Sequence, residues 1–306
     1  MRILVTGGAG FIGSHIVDAY VRAGHEVAVL DDHSTGKPEN LKQAARSGLL
    51  TVFEGDVCDA QFVGEILDAY QPEIINHHAA RVDVAWCEEH PEETQAVNVE
   101  SMGVLLSAAT RAPVKRIIFA GSVGAYGECG EPADESQPLV PVGVYGRSKV
   151  DAERRLCDAC HHTDRAVPTR IILRYANVYG PRASGGVVPA FVRDWMMQER
   201  PTVYGDGEQV RDFVHVHDVA RANLLAIDHL ELPVGSLRIF NIASGHPVTV
   251  NQLWTMVSAE FEPARSADIL ISRIDAARAA EELGFEPRET LHEGVIDLLV
   301  HFERDQ

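Results

Sequence analysis

Near its start the chain reads Arg2-Ile-Leu-Val-Thr6-Gly7-Gly-Ala-Gly10-Phe-Ile-Gly13. Residues 2–6 are a short apolar run rich in β-forming types, which predicts a buried strand. The amphipathic segment that follows, to about Ala23, predicts a helix. Between them, three glycines at G-x-x-G-x-x-G spacing allow a tight turn, a close approach of backbone N–H groups to a pyrophosphate, and close packing of helix on strand. The stretch therefore predicts the dinucleotide-binding turn of an α/β fold.

An acidic pair follows the second predicted strand, residues 26–30. Asp31 and Asp32 come about 20 positions after the glycine turn, where a carboxylate accepts hydrogen bonds from the hydroxyls of an adenosine ribose. A negative charge at this point repels a 2′-phosphate. The pair therefore favours NAD over NADP as the cofactor, with an ordinary acid in a solvated loop as the alternative.

Further apolar stretches alternate with amphipathic ones along the first 243 residues. The predicted strands after the first are residues 26–30, 51–54, 73–76, 115–120, 169–174 and 238–242. Strands that alternate with helices predict a doubly wound parallel sheet of the Rossmann type, with about seven strands.

A smaller C-terminal α/β lobe is predicted because the strand–helix rhythm changes after residue 174. Helices are expected at residues 187–199, 275–283 and 291–303. We expect the dinucleotide-binding domain to comprise residues 1–174, with 212–243 returning to it, and the substrate-binding lobe to comprise 175–211 and 244–306. Residues 128–144 contain three prolines and are predicted to form a loop without regular structure.

The composition limits the classes of partner. The chain has 27 basic and 45 acidic residues, a net charge of −18, which argues against binding to nucleic acid or to an anionic membrane. Its first residues run straight into the glycine-rich turn, so no signal peptide is expected, and no apolar run is long enough to span a bilayer. Five cysteines without framework spacing suit reduced thiols in the cytoplasm. Cys157-Asp-Ala-Cys160-His161 matches a haem-attachment pattern, but it lies on a predicted helix in a chain without an export signal, so no haem or metal site is predicted.

Tyr145 and Lys149 are four residues apart on a predicted helix and therefore share one face. A phenol is a poor base near neutral pH, since its ordinary pKa is about 10. A neighbouring ammonium group favours the phenolate, so the pair could serve as a general base or acid. Ser122 follows the fifth predicted strand, where it could contact a ligand or simply form a turn. Taken alone, the Tyr-Lys pair is also typical of a solvated helix surface; the glycine turn favours the catalytic interpretation.

Together these motifs resemble the extended short-chain dehydrogenase/reductase superfamily. Within it, the chain is similar to the nucleotide-sugar epimerases, and most of all to the UDP-glucose 4-epimerases. The matching stretches are Asp31-Asp-His-Ser-Thr-Gly36, Gly55-Asp56-Val57, His78-Ala-Ala80, Asn98, Arg174-Tyr-Ala-Asn177, Tyr204-Gly-Asp-Gly207, Arg211-Asp212, Arg265 and Asp268.

The resemblance implies NAD-dependent epimerisation of a nucleotide-diphosphate sugar at C4 through a transient 4-keto sugar, in a cytoplasmic homodimer. It implies three catalytic residues, Ser122, Tyr145 and Lys149. The cofactor site it implies comprises Tyr145 and Lys149 together with Gly7, Gly10, Phe11, Ile12, Gly13, Asp31, Asp32, Ser34, Gly36, Asp56, Val57, Ala79, Ala80, Asn98 and Tyr175. The implied sugar-nucleotide site comprises Ser122, Asn177, Val187, Tyr204, Arg211, Arg265 and Asp268.

Some alternatives remain open within and beyond this family. The related 4,6-dehydratases carry an acidic pair after the catalytic Ser or Thr, whereas Val123-Gly124 follow Ser122 here, which argues against that reaction. A UDP-glucuronate 4-epimerase, a uronate decarboxylase and a non-catalytic dinucleotide sensor stay as rivals. Cys87 stands where relatives often have serine, and the sequence does not explain it. Ser272 is small at a position that influences whether an N-acetyl group fits, so N-acetylated hexoses are expected to be tolerated.

Overall fold

The strands of the computed structural model include seven that form one central sheet. The structure describes residues 1–159, 168–228, 232–254, 260–263 and 268–304. Its strands are β1 (Arg2–Thr6), β2 (Glu26–Asp31), β3 (Leu50–Glu54), β4 (Ile74–His77), β5 (Arg116–Ser122), β6 (Cys129–Ala133), β7 (Thr169–Tyr175), β8 (Asn177–Tyr179), β9 (Thr202–Tyr204), β10 (Val210–Arg211), β11 (Phe213–His215), β12 (Leu237–Ile242), β13 (Val248–Thr249), β14 (Glu260–Glu262) and β15 (Ser272–Ile274). The central sheet is parallel, in the order β12-β7-β5-β4-β1-β2-β3. The predicted doubly wound sheet of seven strands is confirmed.

Helices cover both faces of this sheet. The helices of the described residues are α1 (Phe11–Arg22), α2 (Lys42–Ala45), α3 (Ala60–Tyr70), α4 (Val84–Glu89), α5 (Pro91–Gln95), α6 (Ser101–Ala109), α7 (Gly143–Asp158), α8 (Val187–Met196), α9 (Val216–Asp228), α10 (Ala277–Leu283) and α11 (Leu291–Arg304). Of these, α8 and α11 pack with β8 and β11 in a separate apolar cluster. A π-helical segment, Ala96–Glu100, joins α5 to α6. None of the described helices is both long enough and apolar enough to cross a lipid bilayer.

The two faces of β1 show why its sequence is a continuous apolar run. Ile3 and Val5 belong to the core on the side of α1 and α9, whereas Leu4 belongs to the core on the side of α3 and α6. Successive side chains of a strand point to opposite faces, so a strand covered on both sides needs apolar residues at every position. The run at residues 2–6 therefore marks the centre of the sheet.

Outside the central sheet, short strands form four pairs among the described residues: β6 with β15, β8 with β11, β9 with β14, and β10 with β13. The prediction that residues 128–144 lack regular structure was wrong for residues 129–133. Cys129 lies opposite Ser272, and its N–H donates to the carbonyl oxygen of Ile271 at 2.8 Å. Pro132 is tolerated in β6 because a proline can stand in an edge strand. The division into two domains at the predicted boundaries stays a prediction.

Candidate functional site

The glycine turn lies at the carboxyl end of β1. Gly7 adopts a φ of +68°, and a Cβ there would lie 2.6 Å from the backbone nitrogen of Ala79, so a larger residue does not fit. A Cβ on Gly13 would collide with the carbonyl oxygen of Gly7. Helix α1 begins after Gly10, and among the described residues no side chain caps its N-terminus. The free N–H groups of this first turn suit an anionic phosphate.

Asp31 ties the glycine turn to the loop after β2. Its carboxylate accepts the N–H of Ala9 at 2.9 Å through one oxygen and the N–H of His33 at 2.9 Å through the other. Gly36 packs against it, where a Cβ would lie 2.6 Å from Oδ1. Each carboxylate oxygen keeps a second lone pair. Asp31 can therefore hold this turn and still accept a ribose hydroxyl, as the sequence predicts.

Arg81 is a residue of this region that the sequence reasoning missed. Its guanidinium contacts the Oγ atom of Ser34, lies 3.8 Å from the carboxylate of Asp32, and donates to Glu93 at 3.0 Å. Burial tends to raise the pKa of Asp32, but hydrogen bonds from Ser34 and the charge of Arg81 outweigh it and lower that pKa. Arg81 directly follows Ala79 and Ala80 after β4. This position next to two predicted cofactor residues could have marked it in the sequence.

Asn98 fixes the backbone of Arg81 and lies in the π-helical segment. Its side-chain oxygen accepts the N–H of Arg81 at 2.7 Å, and its side-chain amide donates to the Arg81 carbonyl and to Ser148 Oγ, each at 2.9 Å. Both N–H groups of the amide are used by the protein. Asn98 thus joins the loop after β4 to helix α7, and its place in the cofactor site stays a prediction.

Ser122, Tyr145 and Lys149 come together at the end of β5. Ser122 ends β5, and its side chain lies close enough to the Tyr145 phenol to lower the pKa of that phenol. The ammonium nitrogen of Lys149 lies 5.9 Å from the centre of the Tyr145 ring and donates to the carbonyl oxygen of Ala120 at 3.0 Å. The three residues predicted to be catalytic therefore form one group at the carboxyl edge of the sheet.

The electrostatics of this group differ from the sequence-based expectation. Burial raises the pKa of Tyr145 to about 12, and the interaction with the Ser122 side chain offsets this only in part. Burial also lowers the pKa of Lys149 to about 8. In the protein without cofactor, desolvation of a phenolate at this position outweighs the stabilisation expected from an ammonium 5.9 Å from the ring.

Tyr175 is held by a chain of buried hydrogen bonds. Its hydroxyl contacts His78 Nε2 at 3.0 Å and accepts from the side chain of Asn223 at 2.8 Å.

The other predicted cofactor residues also lie at carboxyl ends of strands or in the turns that follow: Phe11 and Ile12 at the start of α1, Asp56 and Val57 after β3, and Ala79 and Ala80 after β4. Ligands of doubly wound sheets bind at this edge.

Arg211 and Asp268, two predicted sugar-nucleotide residues, form an ion pair in the smaller lobe. The guanidinium of Arg211 donates to Asp268 at 2.7 Å, and burial lowers the pKa of Arg211. Asn177 lies in β8, Tyr204 in β9 and Val187 at the start of α8. Arg265, like Cys160 and His161, lies outside the described residues.

A doubly wound sheet with a glycine-rich first turn, an acid after its second strand and a Ser-Tyr-Lys group after its fifth defines the extended short-chain dehydrogenase/reductase class. Residues 3–243 match the NAD dependent epimerase/dehydratase family, and the chain belongs to that family. The resemblance recognised in the sequence is thereby confirmed, and the cofactor named for the family is NAD. The uncapped start of α1, the close-packed glycines and the Asp31 carboxylate fit such a dinucleotide.

Similar proteins cover nearly the whole chain. A UDP-glucose 4-epimerase of Mycolicibacterium smegmatis is 35% identical, over 99% of this chain and 98% of that protein. The solved structure of UDP-glucose 4-epimerase with UDP-glucose from Thermotoga maritima is 36% identical, with a TM-score of 0.91, over 100% of this chain and 99% of that one. The UDP-glucose 4-epimerase of Thermus thermophilus in complex with NAD is 33% identical, with a TM-score of 0.89 over 99% of each chain.

Proposed function

We propose that this protein is an isomerase that interconverts the C4 epimers of a UDP-hexose, such as UDP-glucose and UDP-galactose, with NAD as its cofactor. The observation that carries the proposal is the grouping of Ser122, Tyr145 and Lys149 at the same sheet edge as the glycine turn. The activity named for the M. smegmatis relative, and the UDP-glucose and NAD named for the two solved structures, support it.

The residues that would hold the cofactor are those of the glycine turn and the loop after β2. NAD bound there would accept a hydride from C4 of the sugar and return it, and its nicotinamide ring would add a positive charge to the site. Asp31 would accept the hydroxyls of the adenosine ribose, and the N–H groups at the start of α1 would bind the pyrophosphate.

Tyr145 is the group proposed to move the proton. Its phenolate would take the proton from the 4-hydroxyl of the sugar, and its phenol would return one to the 4-keto oxygen. Because burial raises the pKa of Tyr145 to about 12, the phenolate forms only when further positive charge lies beside it. Ser122 would hydrogen-bond the same sugar oxygen, and Lys149 would keep its ammonium next to the phenol.

The predicted smaller lobe would anchor the nucleotide while the 4-keto sugar rotates. Either face of the sugar could then be presented to the nicotinamide. Arg211 is held in place by Asp268 and has a planar guanidinium that suits a diphosphate. Arg265 is proposed to help, by the resemblance. Ser272 is buried in β15 opposite Cys129, and its small side chain is the basis for expecting that an N-acetyl group is accepted.

The test is turnover by purified protein, without added NAD, of a panel of UDP-, GDP- and dTDP-sugars, with products separated by chromatography. We expect UDP-galactose and UDP-glucose to interconvert. Tyr145→Phe should lower kcat by about a thousandfold or more while the bound NAD is retained. The matched control is Tyr70→Phe on α3, which should keep wild-type turnover. Wild-type activity in Tyr145→Phe would contradict the assignment, and turnover of UDP-glucuronate alone would favour a uronate enzyme.

The protein is further proposed to be a cytoplasmic homodimer. Helix α6 carries two apolar residues, Val104 and Leu106, that are only partly buried in the single chain. A second copy packed along α6 and α7 would cover them. Light scattering coupled to gel filtration tests this, and a mass of one chain would contradict it.

A further inference from the structure

A second cluster of chemically active side chains lies outside the proposed catalytic and cofactor residues. His215 ends β11, His217 lies in the first turn of α9, and Glu289 precedes α11. One ligand atom from each of the three lies within 4.8 Å of the other two. The two imidazole rings are 4.8 Å apart and nearly perpendicular, at 81°. The proposed epimerisation assigns no role to any of the three.

His215 carries the strongest sign that this cluster is incomplete without a ligand. The residue is 1% exposed, and among the described residues its Nε2 atom has no hydrogen-bond partner. It faces a carboxylate oxygen of Asp297 at 3.6 Å, which is also buried without a partner. Buried polar atoms normally have partners, and an unpaired one costs about 1–3 kcal/mol. A ligand bound to Nε2 of His215 would remove that cost for the imidazole.

We propose that His215, His217 and Glu289 bind a zinc ion. Two imidazoles and a carboxylate are ligands that Zn²⁺ takes, with water in the fourth position of a tetrahedron. One existing contact of His215 competes with zinc binding. It is a hydrogen bond that the backbone N–H of His217 donates to Nδ1 of His215. At 3.4 Å this hydrogen bond is long and therefore weak. It would be lost on zinc binding, because His215 would then carry its proton on Nδ1 and bind the ion through Nε2.

The surroundings are open to solvent and carry charges of both signs, with Asp18 and Asp297 beside Arg22, Arg182 and Arg221. The cluster borders a cleft of about 780 Å³ that His217 and Asp297 line together with His15 and His301. An ion can therefore enter from solvent on the side of the exposed His217. Once bound, it would join the start of α9 to the segment in front of α11. The ion would thus stabilise the junction between the sheet and the C-terminal helix, without taking part in the epimerisation.

The experiment uses the full chain without a histidine tag, treated with chelator and then freed of it. Zn²⁺ is titrated by calorimetry, and Co²⁺ by its visible absorption, which reports tetrahedral nitrogen and oxygen ligation. We expect one ion per chain and a higher Tm with zinc. His217→Ala and Glu289→Gln should each weaken binding by at least about tenfold, since even the loss of an outer partner of a metal ligand costs that much. His292→Ala, at an exposed histidine of α11, is the matched control and should bind like wild type.

Metal-free His217→Ala should unfold at the wild-type temperature, because its side chain is exposed, so weaker binding in this variant reports the lost ligand. A wild-type chain that binds no zinc would overturn the proposal. So would variants that bind as tightly as the wild type, or a loss of binding in His292→Ala equal to that in His217→Ala.

Discussion

Two buried cations next to the proposed reaction centre have different surroundings. Lys149 on α7 is 4% exposed and Arg174 on β7 is 3% exposed, and each packs against an aromatic ring. Arg174 donates to both carboxylate oxygens of Glu153, at 3.1 and 2.7 Å. Lys149 donates instead to a backbone carbonyl at 3.0 Å, although Glu153 lies only one helical turn away.

The pKa values follow from these partners. Burial tends to lower the pKa of both cations. For Arg174 the hydrogen bonds and charge of Glu153 outweigh burial and raise the pKa. For Lys149 burial prevails, and the pKa falls to about 8. The comparison indicates that Glu153 is used to hold the fold through Arg174, while Lys149 keeps an incompletely satisfied ammonium for the reaction.

The largest effect is expected for Lys149→Met. Turnover of UDP-galactose should fall by about a thousandfold or more, because the phenolate of Tyr145 loses its nearest cation. The free energy of unfolding should stay the same or increase, since a buried charge without a carboxylate partner is replaced by an apolar group. Coupled kinetics and urea unfolding measure the two quantities. Wild-type turnover in Lys149→Met, or a large loss of its stability, would contradict the distinction drawn between Lys149 and Arg174.

Arg174→Met should have the opposite profile. The change leaves the carboxylate of Glu153 buried without its partner, which should lower the free energy of unfolding by about 3–5 kcal/mol. The double variant Arg174→Met/Glu153→Met should recover most of the loss. Urea unfolding of the single and double variants tests this, and a single variant as stable as the wild type would show that the ion pair does not hold α7 to the sheet.

The pH dependence sharpens the comparison further. Between the folded pKa of Lys149, about 8, and its ordinary value of 10.5, the unfolded chain binds more protons than the folded one. Stability from this group therefore rises with pH across that window, and its cost is fully present below about 8. The stability advantage of Lys149→Met over the wild type should shrink by about 3 kcal/mol as pH rises through the window. A difference that is independent of pH would mean that Lys149 is not destabilised by burial.

The smallest effect is expected for Arg81→Gln. Losing the guanidinium contacts with Ser34, Asp32 and Glu93 should loosen the loop that flanks the adenosine site. The Kd for NAD should rise by about tenfold, or about 1.4 kcal/mol, with kcat at saturating NAD nearly unchanged. Equilibrium dialysis measures the Kd. Arg111→Gln, at an arginine paired with Asp68 on the surface, is the control and should not change it.

Much of the cofactor half could be predicted because its signals are local. The glycine spacing at residues 7–13, the acids that follow β2 and the four-residue spacing of Tyr145 and Lys149 all reflect short-range geometry. Continuous apolar runs marked the strands, since strands covered on both faces need such runs. The family resemblance added Ser122, which the structure places beside Tyr145.

What could not be predicted depends on contacts between distant parts of the chain. β6 forms because β15 lies beside it, and the partner strand is about 140 residues away, beyond any local pattern. The contacts of Arg81 join segments near residues 34, 81 and 93. The direction of the Tyr145 pKa shift depends on burial, which spacing along a helix does not give.

The pairing of β6 with β15 has a mechanical consequence for the proposed enzyme. β6 belongs to the stretch of chain that connects Ser122 to Tyr145, and β15 follows Asp268, the partner of Arg211. A shift of the nucleotide-anchoring lobe would therefore pull directly on the connector between the serine and the tyrosine. By this linkage, binding of the diphosphate and the distance between the hydroxyls of Ser122 and Tyr145 would change together.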